Sequence, residues 1–163
     1  MKILDLSAGN RAVWFEKNHP DCIYVDLREQ VRPTIVCDTR RLPFADGTFD
    51  LVVFDPPHTN FGKNGLMSAT YGWHTMPEIR DIIAGTAKEA HRVSKTEALM
   101  AFKWSNRDMR LGPILALMQD HWQVLFGHSV AARPRKFNSE HISETFWSML
   151  LRNSVPPIFK LTG

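Results

Sequence analysis

The hydrophobic pattern of the chain alternates short apolar runs with polar or amphipathic stretches, which is typical of a parallel sheet with crossover connections. The fourth of seven such runs contains no polar residue, as expected of a strand buried on both faces. The last two runs flank a basic loop, so we expect them to pair as an antiparallel hairpin. The seven predicted strands are Lys2–Leu6, Cys22–Asp26, Thr34–Cys37, Leu51–Phe54, Ala98–Trp104, Trp122–Val130 and Thr145–Leu151.

Helices are predicted in three of the intervening stretches. The first covers about Arg11–Asn18. The second begins at Pro77, a residue that fits the first turn of a helix, and apolar residues then recur at helical spacing up to Val93. The third covers Arg107–Asp120, where Gly112-Pro113 must interrupt the helix or move its start.

These elements predict a single α/β domain over residues 1–163, with a doubly wound, Rossmann-like sheet of seven strands that ends in the antiparallel hairpin. The connections Leu27–Pro33 and Asp38–Phe49 are short for a crossover with a full helix, so the helices between the early strands are reduced. The sheet is then thinly covered at this end, and a second protomer or a partner subunit is a reasonable cover. We therefore expect no separate target-recognition domain in residues 1–163.

Composition narrows the class of protein. Of the 163 residues, 44% are hydrophobic and 23% charged, which are globular values that exclude a disordered tail or a coiled coil. No apolar run approaches the ~18 to 20 residues of a membrane span, so we expect a soluble, cytoplasmic protein without a membrane partner. The net charge of +3 is compatible with a nucleic-acid partner but does not require one. Cys22 and Cys37 lack metal-ligand spacing, which predicts two reduced, buried thiols and no metal site.

Acidic residues close or follow four of the predicted strands: Asp5, Asp26, Asp38 and Asp55. Ligands bind outside the carboxyl ends of the strands in open parallel sheets, so we expect all four on one rim. One aspartate at a strand end is often only a turn former, but four at consecutive strand ends favour a binding site. The first leads into a tight turn of small residues, Ser7-Ala8-Gly9-Asn10, where backbone amides can approach a ligand.

The most specific motif is Asp55-Pro56-Pro57-His58. Its two prolines fix φ and remove two amide donors, so the turn is stiff. The Asp55 carboxylate and the Pro56 carbonyl then form a preset pair of acceptors for the two hydrogens of an amino group, with the flat ring of His58 beside them. A rigid strand terminator is the alternative interpretation of the same residues.

In this order, Leu4-Asp5-Leu6-Ser7-Ala8-Gly9, Val25-Asp26, Cys37-Asp38 and Asp55-Pro56-Pro57-His58 resemble the motifs of class I S-adenosylmethionine-dependent methyltransferases. The last motif is similar to the (Asp/Asn/Ser)-Pro-Pro-aromatic signature of amino-methyltransferases, which include DNA adenine-N6 and cytosine-N4 enzymes. The resemblance covers residues 2 to 58 by motif and the rest by strand order. Ser7 and Arg11 stand where many members have glycine, and His58 replaces the usual aromatic residue.

The resemblance implies S-adenosylmethionine as the cofactor and assigns a role to each motif. The turn residues Asp5, Ser7, Ala8, Gly9 and Asn10 would cradle its methionine part, Asp26 would hold its ribose, and Asp38 with Thr39 its adenine. Asp55 would border both the cofactor and the target amine. Pro56 would bind the target amine together with Asp55, and Pro57 and His58 complete the implied catalytic motif, with His58 stacking on the target ring.

Substrate contacts are predicted outside these motifs. Phe61 and Trp73 are candidates for stacking on a flipped target base, and Arg133, Arg135 and Lys136 for contacts with phosphates. Aromatic core residues and a solvated basic loop are the alternative interpretations.

The leading hypothesis is a methyltransferase that acts on an exocyclic amino nitrogen of a nucleic-acid base, with DNA favoured over RNA. One alternative is a methyltransferase for a small molecule or a protein side chain, which the mild net charge favours. The other is a catalytically silent subunit with the cofactor fold that binds nucleic acid or a partner, which the altered glycine turn and His58 favour.

Overall fold

The computed structural model describes residues 1–58, 74–131 and 144–154. The strands of these segments form one sheet in the order β3-β2-β1-β4-β5-β7-β6, in which β1 to β5 are parallel and β7 runs antiparallel to both of its neighbours. This confirms the predicted α/β architecture with an antiparallel C-terminal pair. The strands are β1 (Ile3–Asp5), β2 (Cys22–Asp26), β3 (Ile35–Val36), β4 (Phe49–Phe54), β5 (Ser94–Ser105), β6 (Trp122–Ala131) and β7 (Glu144–Arg152).

The long helix α1 (Met76–Val93) follows its sequence signals. The Thr75 hydroxyl accepts a hydrogen bond from the Glu78 amide, and the Glu78 carboxylate accepts one from the Thr75 amide, which forms a capping box. Pro77 lies in the first turn, where its missing N–H is not needed. The predicted helix is therefore confirmed, with its start one residue earlier than expected.

No helix forms over Arg11–Asn18, so this prediction is wrong. Arg11 has a φ of +55°, in the left-handed region that a right-handed helix cannot include. Its amide bonds back to the Ala8 carbonyl at 2.6 Å, and the Trp14 amide bonds back to the Arg11 carbonyl at 3.1 Å, which gives successive turns. The Trp14 indole N–H donates to Asp5 Oδ2 at 2.7 Å and fastens this loop to the sheet.

The helix predicted over Arg107–Asp120 is shortened to α2 (Leu111–Ala116). Because Pro113 cannot donate a backbone hydrogen bond in a helix interior, the helix begins just before it and Pro113 falls in the first turn. The short early connections behave as expected: a 3₁₀ turn (Glu29–Val31) joins β2 to β3, and β3 leads to β4 without a helix.

The core has two parts, because side chains of successive strand residues point to opposite faces of the sheet. The larger cluster joins strand residues such as Leu4 and Val52 to Ile83 of α1 and Ile114 of α2. The smaller cluster consists of strand residues, Ala8, and the partly buried Val13 and Trp14 from the loop after β1. Of the residues that the structure describes, only loop residues cover this second cluster, in place of the predicted helix.

The two cysteines are unpaired. Cys22 is buried, and this burial raises the pKa of its thiol to about 12, so it is a poor nucleophile. Cys37 is only half-buried, so the expectation of two buried thiols is right for Cys22 alone. Within the described ranges, each helix is too short or too polar to cross a membrane.

Candidate active site

A cleft of about 740 Å³ lies at the carboxyl ends of the first four strands. Most of the residues predicted from the motifs line this one cleft, as expected when the carboxyl ends of parallel strands meet at one edge of the sheet. Asp5 is the exception, since it does not line the cleft. The predicted residues that line it are Ser7, Ala8, Gly9, Asn10, Asp26, Asp38, Thr39, Asp55, Pro56, Pro57 and His58.

Asp5 lies beneath the first turn and is 1% exposed. Its Oδ1 accepts from the Ser7 amide at 3.1 Å, and its Oδ2 accepts from the Trp14 indole at 2.7 Å. Burial raises its pKa from the ordinary 3.8 to about 6, with smaller contributions from the nearby Asp55 and Asp26 charges. Gly9, with a φ of +48°, lets the turn close above it. Asp5 thus supports the cleft from below.

Asp26, the predicted ribose acceptor, already accepts four hydrogen bonds. Three come from Arg28, through its amide, Nε and Nη2, and the fourth comes from the Gly9 amide, each at 2.9 Å. Burial would raise the pKa of Asp26, but these donors outweigh burial and hold it below its usual value. A carboxylate offers about four acceptor positions, so in this arrangement Asp26 has none left.

Asp38, the predicted adenine contact, also accepts hydrogen bonds from an arginine two residues further along the chain. Arg40 donates to it from its amide at 2.9 Å, from Nη2 at 2.7 Å, and from Nε to both oxygens at 3.0 and 3.1 Å. These hydrogen bonds lower the pKa of Asp38. Arg40 also pairs with Asp81 of α1 at 2.5 Å, and the stem of Arg40 crosses the helix at Gly85. The loop after β3 is thus fixed to α1.

Asp55 differs from both. Its Oδ2 accepts from Lys103 Nζ of β5 at 2.6 Å, while its Oδ1 is buried without a hydrogen-bond partner. Its amide donates to the Ser7 hydroxyl at 2.8 Å, which ties the Asp-Pro-Pro-His turn to the first turn. Ser7 therefore has a structural use at a position where a glycine would leave this amide without that acceptor. Asp55 therefore lines the cleft with one carboxylate oxygen, Oδ1, that has no hydrogen-bond donor.

The His58 ring lies over this open acceptor. Its Nδ1 is 3.0 Å from the Pro56 carbonyl oxygen and 3.6 Å from Asp55 Oδ1. Because a carbonyl only accepts, Nδ1 carries the hydrogen, and in the neutral ring Nε2 is then free to accept. The longer distance exceeds a hydrogen bond. One ring nitrogen therefore sits between the two acceptors that the sequence predicts for an amino group.

Arg11, which stands where many members of the resembling family have glycine, lies outside the cleft, with its guanidinium 4.1 Å from the centre of the Tyr24 ring. The predicted substrate contacts Phe61, Trp73, Arg133, Arg135 and Lys136 fall outside the described residues and stay predictions. In the described part of the chain, no group of three or more His, Cys, Asp or Glu side chains could hold a metal ion.

Among the cleft residues that the sequence interpretation missed are three cationic side chains: Arg28, Arg40 as a partner of Asp38, and Lys103. The first two had a signal, because Asp26-Leu27-Arg28 and Asp38-Thr39-Arg40 repeat one Asp-x-Arg pattern at two strand ends. Lys103 also had one, since it is a lysine between two aromatic residues in an otherwise apolar predicted strand.

No protein-family model and no curated protein matches the sequence. Solved structures do match. The PH0226 protein from Pyrococcus horikoshii OT3 is 16% identical with a TM-score of 0.65, covering 93% of this chain and 82% of that one. The N-methyltransferase NodS from Bradyrhizobium japonicum WM9, in complex with S-adenosyl-L-homocysteine, is 14% identical with a TM-score of 0.57, covering 94% and 78%.

A third match is a variant of the 16S rRNA (adenine(1408)-N(1))-methyltransferase from Catenulisporales acidiphilia. It is 12% identical with a TM-score of 0.57, and the alignment covers 94% of this chain and 88% of that chain. At these identities the similarity shows the fold. The chain therefore has the Rossmann-like fold of solved S-adenosylmethionine-dependent methyltransferases, with the strand order and antiparallel end described above.

Proposed function

We propose that the chain is an S-adenosylmethionine-dependent methyltransferase that acts on an exocyclic amino nitrogen of a nucleic-acid base, most favourably in DNA. The observation that carries this proposal is the position of His58 Nδ1, 3.0 Å from the Pro56 oxygen and 3.6 Å from Asp55 Oδ1. The chain's own nitrogen occupies the place between the two acceptors. A slightly closer nitrogen with two hydrogens could satisfy both acceptors.

The cleft fits the cofactor once the arginines that fill the acceptor positions of Asp26 and Asp38 turn aside. Its volume of about 740 Å³ lies in the range of about 300–1,000 Å³ typical of small-molecule sites. The turn residues Ser7 to Asn10 form one wall, and Thr39 lies beside the enclosed Asp38. For Asp26 to accept ribose hydroxyls, the Arg28 guanidinium must first turn away, because it occupies two of the acceptor positions and the Arg28 amide occupies a third.

Bound S-adenosylmethionine supplies a methyl group already activated by a positively charged sulfur. The chain's own task is then alignment and charge. Asp5 beneath the turn becomes negative above a pH of about 6 and would favour a cation in the cleft. The stiff Asp55–His58 turn is held to the first turn through the Ser7 hydroxyl, so both parts of the site keep one geometry.

The acceptor amine would replace His58 Nδ1 and donate its two hydrogens to Asp55 Oδ1 and the Pro56 carbonyl. These bonds draw its lone pair out of conjugation with the ring. The hydrogen bond to Asp55 Oδ1 strengthens as partial positive charge develops on the nitrogen, which stabilises the transition state. An orphaned buried oxygen gains a donor in the process, which removes a desolvation penalty of about 1–3 kcal/mol. The proton lost from nitrogen can pass to His58 Nε2, to Asp55 or to water.

The similar structures support methyl transfer in general terms, since an N-methyltransferase and an rRNA adenine methyltransferase share the fold. The choice of a nucleic-acid base, and of DNA, rests on the Asp-Pro-Pro-His motif. A small-molecule or protein amine remains the alternative acceptor class that the screen below separates.

One observation favours a second candidate, a catalytically silent subunit with the same fold. Asp26 and Asp38 have their acceptor positions filled by the chain's own arginines. If these arginines do not yield to a ligand, the cleft binds no cofactor. Calorimetric titration with S-adenosylmethionine decides this, because the silent subunit gives no heat and the enzyme does.

The test of the proposed function is a methyl-acceptor screen. Tritiated S-adenosylmethionine is incubated with the protein and, separately, DNA, RNA, protein and small amines. We expect label in nucleic acid, with DNA above RNA, and none with Asp55→Ala. Asp120→Ala is the matched control, since Asp120 is exposed and lies outside the cleft. Label only in small amines or protein would contradict the proposal.

A further inference from the structure

Lys103 stands out in β5 because its neighbours Phe102 and Trp104 are fully buried and apolar, and Lys103 is half-buried. Strand alternation places it on the opposite face from both, where it reaches the cleft. Its Nζ is 2.6 Å from Asp55 Oδ2, and the Lys103 and Asp55 side chains are only 24% and 21% exposed. A lysine therefore lies at the end of the cleft where the acceptor is expected.

The ion pair sets the orientation of the carboxylate. A short charge-assisted bond holds Oδ2 toward β5, so the other oxygen, Oδ1, must face away from Lys103. This is the oxygen without a hydrogen-bond partner, next to His58 Nδ1 at 3.6 Å. The Lys103 ammonium also lies 6.0 Å from the centre of the Trp147 ring, its cross-strand neighbour on β7, which favours the same position.

The ion pair also sets the charge of the site. An uncompensated carboxylate attracts an ammonium ion, whereas Asp55 paired with Lys103 is close to neutral as a unit. A cationic amine bound to Oδ1 would lie only a few ångströms from the Lys103 ammonium and would be repelled by it. An uncharged amino group conjugated to a ring or carbonyl meets no such repulsion and still donates to Oδ1.

We propose that Lys103 is a positioning residue that aims Asp55 Oδ1 at the acceptor and restricts the site to uncharged amino groups, against alkylammonium ions. This inference rests on the proposed function, since it concerns the acceptor end of the same cleft. It adds a residue from β5 to a site whose predicted motif residues lie at the carboxyl ends of β1 to β4 or in the turns that follow them.

The test compares Lys103→Met, which removes the charge and keeps most of the apolar stem, with Lys103→Arg, which keeps the charge. The matched control is Lys95→Met, because Lys95 lies on the same strand and pairs with Asp50 at 2.7 Å, away from the cleft. Circular-dichroism melting establishes that each variant is folded. Binding is measured by calorimetry with S-adenosylhomocysteine present, using deoxyadenosine as the uncharged amine and benzylamine as the cationic one.

For Lys103→Met we expect benzylamine to bind about 10-fold more tightly and deoxyadenosine no more tightly than to the wild type. We expect kcat on the best acceptor of the screen to fall about 10²-fold, with the affinity for S-adenosylmethionine within 3-fold. Lys103→Arg should keep the preference for deoxyadenosine and recover part of kcat, and Lys95→Met should match the wild type.

Two results overturn the inference. One is an unchanged ratio of deoxyadenosine to benzylamine affinity in Lys103→Met. The other is an equal loss of cofactor binding, acceptor binding and melting temperature, which marks a purely structural lysine. If the wild type binds cofactor but transfers methyl to no acceptor, the proposed function fails, and the binding ratios still decide the role of Lys103.

Discussion

The aspartates at the carboxyl ends of β2 and β3 and the aspartate at the carboxyl end of β4 line one cleft but have opposite surroundings. Asp26 and Asp38 each receive an arginine two residues further along the chain, through both its amide and its guanidinium. Asp55 receives one bond from Lys103, 48 residues away, and keeps Oδ1 unpartnered. The cleft therefore has two acids that stabilise its walls and one acid that still has an acceptor to offer.

This difference distinguishes the acids that fix the shape of the cleft from the acid that is available for a reaction. An Asp-x-Arg turn satisfies its own carboxylate locally, so it costs little to bury and holds its loop in one conformation. A buried oxygen without a donor is unfavourable by about 1–3 kcal/mol, so a ligand that donates a hydrogen bond to it gains free energy. The ends of β2 and β3 thus shape the cleft, and the end of β4 is where we expect chemistry.

The largest expected effect is on kcat, and it appears when Asp55→Ala is compared with Asp38→Ala. Asp55→Ala should lower kcat for methyl transfer by about 10²- to 10³-fold, because it removes an oriented group that stabilises developing charge. Its affinity for S-adenosylmethionine should stay within a few-fold of wild type. Asp38→Ala should do the reverse, with weaker cofactor binding and a smaller loss of kcat. Stopped-time assays and calorimetry on both variants measure the split, and equal losses in the two variants would remove the distinction.

The next largest effect is on the free energy of unfolding, and it comes from Asp5, which is buried beneath the first turn of the cleft. Its pKa of about 6 in the folded protein lies above the ordinary 3.8, so the folded state is favoured at low pH. That contribution is present below about pH 4 and is lost as the pH rises through 6, by about 3 kcal/mol in total. Asp5→Asn cannot ionise, so its stability relative to wild type should improve by about this amount between pH 4 and pH 8.

Urea unfolding of Asp5→Asn and wild type at the two pH values measures this change. The comparison does not depend on what the amide itself costs, because that cost is the same at both. Parallel pH profiles would show that Asp5 ionises normally in the folded state.

A smaller effect, on the affinity for the cofactor, is expected from replacing Arg28, the arginine that binds Asp26. Arg28→Met keeps much of the stem and removes the guanidinium donors, which frees acceptor positions on Asp26. We expect S-adenosylmethionine to bind several-fold more tightly, and Asp26→Asn to bind it more weakly. Calorimetric titration measures both. Weaker binding to Arg28→Met would show that Arg28 contacts the cofactor instead of yielding to it.

The smallest effect concerns the glycine that Arg40 crosses. A Cβ at Gly85 would lie 2.9 Å from Arg40 Cγ, so Gly85→Ala must displace an arginine that binds Asp38 and Asp81. Gly112 is the matched control, because a Cβ there meets nothing within 4 Å. Gly112→Ala should gain up to about 1 kcal/mol from helix propensity, and Gly85→Ala should lose that gain or become destabilised. Thermal melting of the two variants compares them.

The sheet and its rim could be predicted because their signals are local. Short apolar runs mark the strands, and Thr75, Pro77 and Glu78 mark the start of α1. Once the strands are parallel, their carboxyl ends meet at one edge, so the acids must gather there. The fold follows from these patterns without knowledge of any distant contact.

The site's charge balance could not be predicted in the same way. The loop at Arg11–Asn18 resembles a short amphipathic helix, but a left-handed Arg11 and the bond from Trp14 to Asp5 override that pattern. The pairing of Lys103 with Asp55 joins residues 48 positions apart and depends on the order of β4 and β5 in the sheet. Sequence patterns identify the acids, and tertiary structure decides which of them are already satisfied.

The most direct test of the proposed function is to identify the atom that receives the methyl group. DNA incubated with the protein and tritiated S-adenosylmethionine is digested to nucleosides, which are then separated and counted. The paired acceptors at Asp55 and Pro56 predict label on an exocyclic amino nitrogen, as N6-methyladenine or N4-methylcytosine, and none with Asp55→Ala. Label on a ring atom, or transfer that survives in Asp55→Ala, would contradict the account.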